Sequence, residues 1–83
     1  MSDIRYNQVG RILKGAHEGW WVMVDDDTAG KTGGYYIYMS SSPDVTGGTP
    51  GVYREGFDEW WLTKENVVRA FAHKCWVIDW ENL

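Results

Sequence analysis

Gly19 to Ser42 reads GWWVMVDDDTAGKTGGYYIYMSSS, two bulky runs joined by a polar, glycine-containing turn, and the fold follows from how this stretch pairs. Trp20 to Val24 (WWVMV) and Tyr35 to Met39 (YYIYM) are built from residue types that suit a pleated surface. Both are short and bounded by turn formers, which favours strand over helix. Between them, Asp25 to Gly34 supplies the polar and φ-permissive chemistry of a loop. A connection of that length leaves the register open.

Neither run alternates apolar with polar. Trp20, Val22 and Val24 share one face against Trp21 and Met23, and Tyr35, Ile37 and Met39 share one against Tyr36 and Tyr38. A hairpin with bulk on both faces needs two covering layers or a partner.

Working outward, residues 1–8 are polar and read as a frayed lead-in, and Val9 to Lys14 (VGRILK) suits a short first strand with a bend or bulge at Gly10. Gly15 to Gly19 then turns into the hairpin, completing a three-stranded antiparallel meander. On the other side, Ser40 to Gly56 (SSSPDVTGGTPGVYREG) holds both prolines, which suits neither a helix interior nor a central strand, and reads as a mobile loop. Phe57 to Leu62 (FDEWWL) is either a short extended segment or a first helical turn capped by Asp58.

Thr63 is the clearer helix start, with a hydroxyl to cap free N–H groups and Glu65 near the positive end of the dipole. Val67, Val68, Phe71 and Ala72 form an apolar stripe, with Lys64, Arg69 and Lys74 facing away, so the helix is expected over Thr63 to His73. Cys75 to Trp80 (CWVIDW) puts Trp76, Ile78 and Trp80 on one strand face and Cys75, Val77 and Asp79 on the other. The expected architecture is one α+β domain over residues 1–83: a small antiparallel sheet in β-β-β-α-β order with one helix packed on one face. A right-handed crossover through that helix makes the last strand parallel to its neighbour, the first strand or the third.

At 83 residues the chain supports one core, and six Trp, five Tyr and two Phe supply the large side chains a small domain needs. Net charge is −4, which argues against a general nucleic-acid binder and makes any charged partner a basic one. A single cysteine, Cys75, excludes an intrachain disulfide and fits a reducing compartment. MSDIRYNQVG lacks the apolar core of a signal peptide, and no run approaches the ~18 apolar residues of a membrane span. A cytoplasmic protein without membrane association is expected.

No residue pattern carries catalysis, a metal or a cofactor. Gly30-Lys31-Thr32 lacks the earlier glycine of a phosphate-binding loop, and Asp25 stands in its place. Asp25, Asp26 and Asp27 lack the alternate spacing and distant Glu of a calcium loop, and read as a solvated acidic turn. His73 and Cys75 have no supporting residues for zinc or for a Cys–His nucleophile, so Cys75 is expected to be buried and structural. Asp58, Glu59 and Asp79 could pair for glycoside chemistry, but a domain this small offers little room for a cleft.

Trp20, Trp76 and Phe71 are expected in the core. One helix covers one sheet face, however, so some of Trp21, Tyr36, Tyr38, Trp60 and Trp61 should stay accessible, and exposed aromatics rimmed by acid mark an interaction site.

Taken together, Gly19-Trp20-Trp21-Val22, Asp25-Asp26-Asp27, Thr32-Gly33-Gly34-Tyr35-Tyr36-Ile37, Gly56-Phe57-Asp58-Glu59-Trp60 and Val77-Ile78-Asp79-Trp80 resemble small bacterial proteins of the kind encoded as immunity proteins beside polymorphic or contact-dependent toxins. The resemblance spans Val9 to Trp80 and rests on aromatic and glycine spacing. It implies a non-enzymatic binding protein that neutralises a toxin by occlusion. Asp25, Asp26, Asp27, Tyr36, Tyr38, Trp60 and Trp61 are the candidate partner surface, and an acidic surface with aromatic anchors suits a basic toxin domain such as a nuclease. Two other readings stand beside it: a small carbohydrate- or ligand-binding module with Trp and Tyr as stacking platforms, and a homodimer that buries the second sheet face.

Overall fold

The computed structural model describes residues 4–45 and 55–81. In chain order the elements are Val9–Lys14 (β1), Trp21–Asp26 (β2), Tyr35–Ser40 (β3), Gly56–Trp61 (β4), Lys64–His73 (α1) and Val77–Asp79 (β5). The fold is α+β: an antiparallel five-stranded sheet in the order β4-β3-β2-β1-β5, with the one helix packed on one face.

The central hairpin pairs Trp21 with Ser40 through to Asp26 with Tyr35. Asp25 and Asp26, expected in the loop, are therefore strand residues, because Tyr36 and Tyr35 carry the ladder two steps further. The loop closes where the Asp27 N–H donates to the Gly34 carbonyl at 2.9 Å.

Two expectations change. Phe57 to Leu62, left open between strand and helix, supplies β4, which pairs with β3 from Ser40–Gly56 to Tyr35–Trp61, so the order is β-β-β-β-α-β. The last strand pairs with β1 and runs antiparallel to it. The extra strand is the reason. With β1 to β4 alternating in direction, a crossover that keeps β5 in the direction of β4 sets it against β1, and α1 spans the whole sheet between its two edges.

Residues 1–8, expected as a frayed lead-in, are partly paired. Of these, residues 1–3 lie outside the described residues, while Tyr6 bridges Val24, the Asn7 N–H donates to the Val24 carbonyl at 2.6 Å, and Gln8 Nε2 donates to the Trp80 carbonyl at 2.6 Å. The mobile loop read over 40–56 falls, for residues 46–54, outside the described residues as well.

The core lies between the sheet and α1. Ile12, Val22, Val24, Tyr35, Ile37 and Met39 face Val67, Ala70 and Phe71, and Trp76, Ile78 and Trp80 close it. The helix thus buries an i, i+3, i+4 stripe. Val68 and Ala72, expected in that stripe, are exposed because they sit one step around the helix from the sheet. Trp20, expected in the core, is half-buried at its margin, just before β2 begins. Gly10 faces the core of β1, and a Cβ there would lie 2.5 Å from Ile78 Cγ2 and 2.7 Å from Trp80 Cε3, so glycine lets β5 and its tryptophan close over the sheet.

Thr63 caps α1 as expected, its Oγ1 accepting from the Asn66 N–H at 3.2 Å. The C-terminus explains a further correction. Cys75 is exposed, not buried, and belongs to no strand. The Cys75 N–H donates to the Ala72 carbonyl at 3.1 Å and the Trp76 N–H to the Phe71 carbonyl at 3.3 Å, and Trp76 meets Phe71 edge-on at 4.9 Å between ring centroids. This is a Schellman turn, with Cys75 at φ 56 in the position that glycine usually fills. The turn aims Trp76 inward, where its Nε1 donates to the Ala16 carbonyl at 2.6 Å, and leaves Val77–Asp79 as the strand in place of Cys75 to Trp80.

Candidate functional site: the open face of the sheet

Antiparallel partners share a face, so the register assigns every strand residue to one side. Val22, Val24, Tyr35, Ile37, Met39, Glu59 and Trp61 lie on the helix side. The opposite face carries three rows: Asp25, Tyr36 and Trp60; then Val9, Met23, Tyr38 and Asp58; then Asp79, Arg11, Trp21 and Ser40. No described strand or helix covers this face; Arg11, Asp58 and Trp60 are exposed on it, Trp21, Met23, Tyr36 and Tyr38 are half-buried, and Ser40 is fully buried.

The aromatic residues form a continuous platform. Tyr36 and Tyr38 stack at 5.5 Å and 17°, and Trp60, 41% exposed, lies beside Tyr36. Trp60 reaches over the end of the hairpin loop because Gly34 has no side chain; a Cβ there would lie 2.5 Å from Trp60 Cζ2. At the other end the Arg11 guanidinium sits 4.9 Å from the centre of the Trp21 ring, a cation–π contact that flattens both side chains onto the sheet.

Acid borders the tyrosines. Burial first, and then the negative charge of Asp25, push the Tyr38 phenol above its ordinary value, with Tyr36, Asp58 and Asp27 acting in the same direction. The acidic triplet is divided by the strand. Asp25 shares the face of Tyr36, whereas Asp26 lies on the other side, where its Oδ1 accepts from the Thr28 N–H at 3.0 Å and from the Thr28 hydroxyl at 2.6 Å. Those two bonds, the hydroxyl's first, hold its carboxyl below the usual range. Asp27 Oδ2 accepts from the Thr32 hydroxyl at 2.6 Å and the Thr32 N–H at 3.2 Å, so Asp26 and Asp27 brace the loop.

Of the residues singled out by sequence, Asp25, Tyr36, Tyr38 and Trp60 are brought together on the open face. Trp61 is not: it packs half-buried against the core on the helix side, its Nε1 donating to Glu59 Oε1 at 3.2 Å, and Glu59 in turn holds Lys74 at 2.8 Å. Arg11, Met23 and Asp58 join the face without having been selected. The signal for Arg11 and Asp58 was the pairing of β1 and β4 with the hairpin, which composition does not carry, and Met23 follows from the face it shares with Trp21. Separately, on the helix side, His17 stacks with Trp20 at 4.6 Å and with Phe57 at 5.2 Å.

Among the described residues, no three His, Cys, Asp or Glu side chains gather to hold a metal ion, and no helix is long and apolar enough to cross a membrane. Compared with protein-family models, with characterised proteins and with solved structures, the chain matches none, so its open face is interpreted from its own chemistry.

Proposed function

We propose that the chain is a non-enzymatic binding protein of the cytoplasm whose open sheet face receives a positively charged protein. The observation that carries this reading is the platform of Tyr36, Tyr38 and Trp60, bordered by Asp25 and Asp58 and left uncovered by the single helix. Aromatic side chains anchor interfaces with little loss of conformational freedom, and the acid border selects basic partners and speeds their approach. The exposed free thiol of Cys75 supports a reducing compartment. In the immunity setting that the resemblance implies, the partner is a basic toxin domain held by occlusion.

The test is protection. Sequencing of the adjacent reading frame comes first: a toxin-bearing gene there would supply the candidate partner, and a metabolic operon would count against the reading. Cells expressing that toxin should survive with the wild-type chain and die with a folded Tyr38→Ala, Trp60→Ala double variant. Full protection by the double variant refutes the reading. The stacked pair of Tyr36 and Tyr38 also supports a second reading, a saccharide platform. Titration with oligosaccharides followed by tryptophan fluorescence separates the two, since only the saccharide reading expects a response from Trp60 and Trp21.

A further inference from the structure

The two edges of the sheet are finished differently. β5 is three residues long, and its pairing with β1 is broken by a register shift between Ile12 and Lys14. A short strand and a broken register are ordinary devices that stop an edge from recruiting another strand. β4 has neither. It runs six residues in unbroken register with β3, contains neither proline nor lysine, and pairs on its outer side with no strand among the described residues.

The groups it offers follow from the ladder. The Ser41 N–H donates to the Glu55 carbonyl at 2.9 Å, and antiparallel hydrogen bonding alternates from there. Phe57, Glu59 and Trp61 therefore turn their backbone groups toward β3, while Gly56, Asp58 and Trp60 turn theirs outward. The same three residues occupy the open face, opposite Ser40, Tyr38 and Tyr36. A strand added here would lengthen each of those rows by one residue.

We propose that β4 is a docking edge that takes an extended, positively charged segment of the protein partner as a sixth strand, with a lysine or arginine opposite Asp58 and an apolar residue opposite Trp60. This rests on the reading of the open face given above. Charge selects the occupant. Glu55 and Asp58 are exposed along the edge, and Lys74 is held by Glu59 at 2.8 Å. A second copy of the chain is a poor occupant. Antiparallel pairing of β4 with itself overlaps all three outward residues only when Asp58 lies directly across from its counterpart, and like charges in that position destabilise. Strand addition of this kind draws affinity from main-chain bonds and specificity from alternate side chains.

The experiment uses the whole isotope-labelled chain and a capped peptide repeating Lys-Thr-Val-Thr, which alternates lysine and valine along one strand face, titrated into the millimolar range, with backbone amide exchange as readout. The amides of Gly56, Asp58 and Trp60 should slow by about fivefold once the peptide exceeds its dissociation constant about fourfold, while those of Val77 to Asp79 do not change. The same peptide with glutamate in place of lysine should give no protection, and Asp58→Lys should reverse the preference between the two. Equal protection by both peptides, or an Asp58→Lys variant with unchanged preference, overturns the proposal. If the side-chain signals of Tyr38 and Trp60 move without protection of the outward amides, the edge assignment falls and the open-face reading stands. If neither the face nor the edge responds, both fall.

Discussion

Replacing Cys75 by glycine should stabilise the protein, because the Schellman turn holds this residue at φ 56. An L-residue pays about 1–2 kcal/mol to enter the left-handed region, and glycine avoids that term while losing roughly 0.5–1 kcal/mol more backbone entropy on folding. Little else is forfeited: the side chain is exposed, and the thiol's contact with the His73 carbonyl is a weak one at 3.9 Å. The net gain is about 0.5–1 kcal/mol, or about 2–8 °C in Tm for a domain of this size. Calorimetry under reducing conditions on Cys75→Gly, Cys75→Asn and Cys75→Ala isolates the backbone contribution. Alanine keeps the strain and should gain nothing, asparagine should fall between, and glycine should be the most stable. A glycine variant no more stable than the alanine variant would show that the turn delivering Trp76 to the core is not carried by a left-handed residue.

Gly10→Ala should destabilise by about 1–3 kcal/mol, since the new methyl would overlap Ile78 and Trp80, each already buried, and urea unfolding followed by tryptophan fluorescence measures it. The adjacent tryptophans of β4 should part company: Trp61→Ala, on the core side, is expected to lose about 2 kcal/mol of stability, against under about 1 kcal/mol for Trp60→Ala, whose expected effect is on binding of the proposed partner. The folded state keeps the Tyr38 proton longer than the unfolded chain does, so the stability this contributes is complete below the ordinary phenol value of about 10 and is lost as pH rises through the higher folded value. Tyr38→Phe should therefore flatten the alkaline decline of the urea midpoint, and Tyr6, raised chiefly by burial, should retain part of it.

Much of the fold was legible because bulk and spacing are local. The two runs around Asp25 to Asp27, the Thr63 cap, and the inward set of Trp76, Ile78 and Trp80 all appear where side-chain type dictates. The strand at Phe57–Trp61 was ambiguous for a physical reason: with Asp58 and Glu59 inside an aromatic segment, neither a period of two nor one of 3.6 is clean, and only pairing with β3 decides it. Cys75 was misassigned because an apolar residue before Trp76 looks like strand, whereas the turn that seats it depends on hydrogen bonds back to Phe71 and Ala72. The direction of β5 then depended on counting β4.

The candidate site was legible in relative terms only. Each aromatic doublet, Trp20-Trp21, Tyr35-Tyr36 and Trp60-Trp61, sends its members to opposite faces, so the pattern divides them without saying which set meets the helix. Arg11 breaks the symmetry. An arginine beside Gly10 and Ile12 in a short strand belongs on the uncovered face, since α1 supplies no carboxylate to the core stripe of Val67, Ala70 and Phe71. Once Arg11 is set opposite Trp21, the remaining assignments follow through the ladder: Trp21 and Met23 to the open side, then Tyr36 and Tyr38, then Asp58 and Trp60. One charged residue on β1 thus determines which aromatics a partner could meet, and its influence passes through backbone pairing across four strands, a relation no window along the chain contains.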